Sequence, residues 1–309
     1  MGDKIGRFRS EAGRRTYARA YDEAMATLPT PSETLDLPTS LGIVRSYRWV
    51  GSDPGLTPVV LIPGRSSGVP MWAEILPDLL ATGRTLVAMD AVGDAGLSVQ
   101  TAPIRTFAEQ ATWVDEALDR MGIDRAHTVG HSFGGATAAV HALHHPVRVA
   151  TLSLVEPVFV LRWPPASTFF WATVSMLSLP KSWRERALAR IGGVSVEEVR
   201  AESPVGTMIS VGAQEFRAAL PNPRPLTDDQ LARLRMPIYV AIAGDQSLAG
   251  GERAAARARQ LPDATVEIWP NTTHSLPMQV HEALAHRLSG IWDRQPQPGT
   301  TMDESRPPI

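Results

Sequence analysis

The feature that most constrains this chain is a rhythm. Short apolar runs alternate with amphipathic stretches. "TPVVLIPG" (57–64) precedes "MWAEILPDLLATG" (71–83), and "RTLVAMDAVGDAG" (84–96) precedes "IRTFAEQATWVDEALDRMG" (104–122). "AHTVGHS" (126–132) precedes "FGGATAAVHALHHP" (133–146), and "RVATLSLVEP" (148–157) is a fourth apolar run. An apolar run of this length closing on a turn signal reads as a buried strand, and apolar residues three and four apart read as a helix. The alternation predicts an α/β fold, with parallel strands joined by right-handed crossovers and helices on both faces.

The rhythm stops after Pro157 and resumes at "MPIYVAIAG" (236–244), followed by "GERAAARARQLP", "ATVEIWP" and "VHEALAHRLSGIW". Between them lie "WPPASTFFWATVSMLSLP", "SVEEVRAES" and "PNPRPLTDDQLARLR", which read as short helices punctuated by prolines. An insertion between sheet strands is expected to form a helical cap over their C-terminal edge, where open α/β sheets bind ligands. The expected organisation is a core of 1–157 and 236–294, including a helical N-terminal extension over 1–30. The cap spans 158–235, and 295–309 is a Pro-rich tail expected to be disordered. "LDLPTSLGIVRSYRWVG" (35–51) reads as one or two further strands.

Composition narrows the partners. The 309 residues carry a net charge of −2, which argues against a concentrated basic surface for nucleic acid or an anionic membrane. There is no cysteine, so disulfides, thiolate metal sites and cysteine nucleophiles are excluded. "HALHH" lacks the spacing of a zinc helix, and "GDAG" and "SFGG" are not dinucleotide or phosphate-loop fingerprints, so no metal or cofactor is expected. The N-terminus is polar and mixed in charge, and no apolar run approaches a membrane span. The expected location is cytoplasmic, with no indication of oligomeric state.

Gly130-His131-Ser132-Phe133-Gly134 matches G-x-S-x-G between a predicted strand and a predicted helix, the context that a nucleophile elbow requires. The turn must be sharp, so its flanking residues must be small, and the serine then stands clear at the start of a helix that favours negative charge. The plainer alternative is a glycine-rich turn whose serine merely caps that helix.

With "VVLIPGRSSGVPMW", "LVAMDAVGDAGLS", "HTVGHSFGGATAA", "LSLVEP" and "NTTHS", the chain resembles the α/β-hydrolase superfamily over roughly residues 38–294, and esterase-like members with a cap in particular. The resemblance implies a mostly parallel sheet and a serine, an acid and a histidine in that chain order. His274, a short polar loop beyond the last strand, matches the family's histidine, the base that would take the proton of Ser132. Phe133 and Arg65 would supply the two backbone N–H groups of an oxyanion hole. Relatives often carry His-Gly-x where this chain has Pro63-Gly64-Arg65, but a backbone donor does not need that histidine. The Arg65 side chain would either meet solvent or reach an anionic group of a substrate.

The acid is ambiguous. Relatives usually place it where this chain has Ser247. Glu156, at the end of the strand after the elbow, and Asp245, earlier in the same loop as Ser247, are the substitutes, with Glu252 or no acid behind them. Asp90 and Asp94 read as structural braces. In the cap, Trp163, Phe169, Phe170, Trp171, Met176, Leu177 and Met208 would bury it against the core or line an apolar pocket.

The reading is a carboxylesterase-type serine hydrolase acting on a small-molecule substrate, a medium-sized hydrophobic ester, through Ser132, His274 and Glu156 or Asp245. A lactonase, thioesterase, C–C hydrolase or biosynthetic cyclase could use the same residues. So could a non-catalytic ligand-binding protein on the same fold, an alternative kept open by the missing carboxylate at 247.

Overall fold

The computed structural model describes residues 4–177, 179–201, 203–221 and 223–295. The tail expected to be disordered lies outside them but for Gln295, as does the side chain of Met176.

The chain opens with a two-residue strand, β1 (Arg7–Phe8), and helix α1 (Glu11–Met25), whose start is capped by the Ser10 side chain accepting from Gly13 N. Tyr17, Ala20, Tyr21 and Ala24 form its buried stripe at helical spacing. β2 (Glu33–Thr39) and β3 (Gly42–Trp49) make an antiparallel hairpin, so the stretch 35–51 contributes to two strands. β4 (Val59–Ile62) follows. The helical pattern after it is split by Pro77 into a 3-10 turn at Val69–Trp72 and the short α2 (Leu76–Leu80). β5 (Leu86–Met89), the two-residue β6 (Val99–Gln100), α3 (Gln110–Arg120), β7 (Ala126–His131), α4 (Phe133–His144) and β8 (Val149–Val155) complete the first half.

After β8 come α5 (Ala166–Met176), α6 (Lys181–Gly192), α7 (Val196–Arg200) and α8 (Pro204–Glu215), then β9 (Phe216–Arg217) and α9 (Asp228–Ala232). The alternation returns with β10 (Ile238–Ala243), α10 (Gly251–Ala258), β11 (Ala264–Trp269), α11 (Leu276–Gln279) and α12 (His281–Trp292).

The main sheet runs β11-β10-β8-β7-β4-β5-β3-β2, with β6 beside β3. Its members from β11 to β5 are mutually parallel, and β3 runs antiparallel to both its neighbours, β5 and β2. Both faces are covered, so successive strand residues enter two different cores. Val60, Ile62, Val87, Met89, Val240 and Ile242 face one core with α3, α4 and α10. Val59, Leu61, Leu86, Ala88, Tyr239 and Ala241 face the other with α1 and α12. Each fully buried Val, Leu, Ile or Met side chain among these contributes about 1.5–3 kcal/mol.

The N-terminal segment takes its partners from the inserted segment. β1 pairs antiparallel with β9, Phe8 stands edge-on to Phe216 at 5.0 Å, and Arg9 N donates to Glu215 O at 2.7 Å. Tyr17 packs against Gly212 of α8. Among the described residues no helix is long and apolar enough to cross a membrane.

Candidate active site

The site lies where β7, β8, β10 and β11 end on one edge of the sheet. Ser132 follows β7 directly and has φ 55° and ψ −121°, a conformation costly for a residue with a side chain. The glycines around it are required by contact. A Cβ on Gly130 would sit 2.5 Å from Gly134 O, and one on Gly134 would sit 2.3 Å from the carbonyl oxygens of Ile62 and Pro63. The turn thus presses strand, helix and the β4 loop together, leaving Ser132 partly exposed at the start of α4.

His274 comes from the loop after β11 and is 7% exposed. Its Nε2 lies 2.9 Å from Ser132 Oγ, and its Nδ1 lies 3.0 Å from Glu156 Oε2. A carboxylate can only accept, so the ring proton sits on Nδ1 and Nε2 is left to accept from the Ser132 hydroxyl. The loop is held from several sides. Thr273 Oγ1 and Ser275 Oγ both donate to Gly192 O at the end of α6, and Asp245 N donates to Thr272 O.

Glu156 is fully buried. From the end of β8 its carboxylate reaches over the end of β10, the neighbouring strand. Oε1 accepts from Ala243 N at 2.8 Å and from Ser247 Oγ at 2.7 Å, while Oε2 accepts from Leu248 N at 2.9 Å besides His274. These donors replace the hydrogen bonds to water that a buried carboxylate loses. Asp245, the alternative acid, is exposed, and Glu252 is exposed on α10 and paired with Arg259. Neither meets His274.

Around the serine, Phe133 N and Arg65 N have no hydrogen-bond partner among the described residues. Gly64, just before Arg65, is so close that a Cβ on it would lie 3.2 Å from Ser132 Cβ. Asp94 and Asp90 hold this loop: Ser66 N donates to Asp94 Oδ2 at 2.7 Å, and Val69 N to Asp90 Oδ1 at 2.8 Å. Burial pushes Asp90 up to about 6 and raises Asp94 as well. Ser66, Ser132, Glu156, Phe159 and Asn271 all have positive φ, so the described non-glycine residues in that strained region gather in the loops of this edge.

Two residues have roles that the motifs do not reveal. Ser247 stands where a carboxylate was expected and instead donates to one. His131, inside the elbow, bonds the carbonyl oxygen of His274 through Nε2 at 2.9 Å. Burial and the neighbouring His274 drive His131 down to about 3, so it is neutral and its Nε2–H donates to that carbonyl.

The aromatic residues of the inserted segment divide differently from expectation. Met208 is buried, whereas Trp163, Phe169, Phe170 and Leu177 are exposed and Trp171 is half-buried. Phe133 meets Phe107 edge-on at 5.4 Å, and beyond Phe107 a cleft of about 370 Å³ runs along the outside of α4 between Phe159, Val160 and Leu226. Among the described residues no three histidine or carboxylate side chains gather as metal ligands.

A family model described as alpha/beta hydrolase fold matches residues 57–191, from β4 through the elbow into the inserted helices. A crystal structure of naproxen esterase (carboxylesterase NP) from Bacillus subtilis superposes with a TM-score of 0.83, covering 92% of this chain and 99% of that one at 21% identity. The chain has the α/β-hydrolase fold. Similarity to this hydrolase-fold chain also extends through full-length sequences. Carboxylesterase YbfK of Bacillus subtilis (strain 168) is 25% identical over 287 residues, 90% of this chain and 93% of that protein. The crystal structure of carboxylesterase CesB (YbfK) from Bacillus subtilis has a TM-score of 0.79 at 20% identity, covering 90% and 97% of the two chains.

Proposed function

We propose that this α/β-hydrolase-fold protein is a carboxylesterase-type serine hydrolase acting through an acyl-enzyme on Ser132. The observation that carries the reading is the unbroken line from Ser132 Oγ through the His274 ring to Glu156, with contacts of 2.9 and 3.0 Å. Full-length similarity to proteins named carboxylesterase supports the choice of ester as substrate.

In this reading Ser132 attacks the ester carbonyl as His274 Nε2 takes its proton, and Glu156 holds the ring and stabilises the imidazolium. The N–H groups of Phe133 and Arg65 stabilise the tetrahedral oxyanion. His274 then protonates the departing alcohol and activates the water that releases the acid. The reading includes a helical cap over 158–235, a medium-sized hydrophobic ester as substrate, and a cytoplasmic location with neither a nucleic-acid nor a membrane partner. Asp245, turned to solvent, has no part in it.

The test is labelling with a fluorophosphonate followed by peptide mass spectrometry, run beside a panel of p-nitrophenyl esters of graded chain length, lactones and thioesters. Labelling at Ser132 and fastest turnover of oxyesters are expected. A folded protein that neither labels nor turns over any member of the panel would return the chain to a non-catalytic, ligand-binding reading.

A further inference from the structure

Resting on the esterase reading, we propose that the Arg65 side chain selects esters that carry a carboxylate. Its backbone is fixed beside the nucleophile. Ser66 N is tied to Asp94, Ser67 N donates to Gly64 O at 3.3 Å, and Ser67 Oγ donates to Arg65 O at 3.2 Å. Gly64 itself presses on Ser132. From this seat the guanidinium turns back over the elbow, with Cζ 5.5 Å from the centre of the Phe133 ring.

The cation there is exposed, and among the described residues no carboxylate lies within ion-pairing distance of it. The acid that feels its charge is Asp94, which is buried and already accepts from the amides of Ser66 and Ala95. Five arginines of the framework are matched with carboxylates, Arg45 with Asp36, Arg84 with Asp293, Arg148 with Asp115, Arg257 with Asp228 and Arg287 with Glu267. Arg65 differs from the other arginines in standing beside the nucleophile. A guanidinium held without a carboxylate at the mouth of the site is a fork to which a substrate carboxylate can bind through two parallel hydrogen bonds. The Phe133 and Phe107 rings beside it would pack the aliphatic part of such an ester. The substrate class is therefore an amphiphilic, carboxylate-bearing ester, with its carboxylate on the acyl or on the alcohol part.

The test compares matched pairs. Monomethyl glutarate and methyl 5-methylhexanoate differ by a carboxylate on the acyl part. O-Butyryl glycolate and isobutyl butyrate differ by one on the alcohol part. For each pair the ratio of kcat/KM, anionic over neutral, is measured in the wild type and in Arg65→Gln, Arg65→Lys and Arg65→Glu. The ratio should fall about tenfold or more in Arg65→Gln, further in Arg65→Glu, and be kept only in part in Arg65→Lys, which retains the charge but not the fork. The fall should appear in KM and shrink as salt is raised, and the pair that responds identifies the carboxylate-bearing side.

Ratios unchanged across the variants, or anionic and neutral esters declining together, would overturn the proposal, because the charge would then act only on the oxyanion or the loop. Glutarate dianion supplies a readout independent of turnover. It should raise the melting temperature of the wild type more than that of Arg65→Gln. Equal shifts overturn the carboxylate site whether or not any ester is hydrolysed, while unequal shifts without hydrolysis retain the site and remove only the esterase reading.

Discussion

Ser247 Oγ donates to Glu156 Oε1 at 2.7 Å, across the end of β10. A side chain from the loop after β10 thus holds a carboxylate from β8 against the histidine that follows β11. Ser247 Oγ also accepts from Gly251 N at 3.1 Å, which fixes the hydroxyl so that its proton points to Glu156. Glu156→Gln is expected to lower kcat by about 10³- to 10⁴-fold, because the amide can turn its N–H₂ toward Nδ1 and disfavour the productive tautomer. Ser247→Ala should cost about tenfold in kcat with KM little changed, and Ser247→Thr should recover most of it. Asp245→Asn should stay within about twofold of wild type, since its side chain is exposed and away from His274. Steady-state kinetics on one p-nitrophenyl ester separates the three, and a large loss in Asp245→Asn would reverse the assignment of the acid.

The elbow glycines should respond to methyl groups in a way that differs from a glycine in open space. Gly134→Ala would drive a Cβ to 2.3 Å from two backbone carbonyl oxygens, atoms that cannot swing aside. A loss of about 1–3 kcal/mol or more is expected, with activity falling alongside it. Gly290, near the end of α12, is exposed, and a Cβ added to it would meet nothing within 4 Å. Gly290→Ala should therefore stabilise by about 0.5–1 kcal/mol through helix propensity alone. Urea unfolding of the two variants checks the opposite signs.

Asp94 stands behind the loop that carries Arg65. Asp94→Ala would leave the buried-side amide of Ser66 without its acceptor, at about 1–3 kcal/mol, and would free a residue held at φ 57°. The Arg65 N–H would then lose its fixed aim, and kcat should fall about ten- to a hundredfold while KM moves little. Asp94→Asn keeps one oxygen acceptor and should be milder. Comparable kcat in Asp94→Ala and the wild type would show that this loop is not held through Asp94.

How much of this was legible follows from which residues carry periodic signals. β4, β5, β8 and β10 were readable because each is buried along its whole length and so contains a short, largely apolar run, whereas β11, half-buried at the sheet edge, was readable from its place in the alternation. The serine of the elbow was readable because its glycines are demanded by backbone contact. The β1–β9 pairing was not, since two-residue strands have no period and their partners lie some two hundred residues apart. The choice between Glu156 and Asp245 was not either. It depends on which way the 244–250 loop turns, and there the Asp245 amide is tied to Thr272 O while its side chain leaves the site. Nor could composition tell that Phe169 and Phe170 face outward, because α5 is apolar on most of its surface and gives no stripe to read.

Buried histidines should dominate the acid limb of stability. His127, His131 and His141 are each pushed down to about 3, by burial first of all. Their ordinary value is 6.5, so between pH 6.5 and about 3 the unfolded chain binds protons that the folded chain refuses. The unfolded state holds more protons throughout that window, and stability must fall as pH falls. Well below 6.5 each histidine contributes about 1.4 kcal/mol per pH unit, roughly 4 kcal/mol per unit for the three. Asp90 acts in the opposite sense. Its value is raised from 3.8 to about 6, so its contribution is present at low pH and lost as pH rises through that interval, which offsets about one histidine. Urea midpoints at pH 7, 6 and 5.5 should therefore decline with accelerating slope. His141→Gln removes one of the three groups, and its ring nitrogens make no hydrogen bond that the change would break. The slope of that variant should be shallower by about one proton. An unchanged slope would mean that His141 takes up its proton in the folded protein, through an opening of the α3–α4 contact that the static structure does not contain.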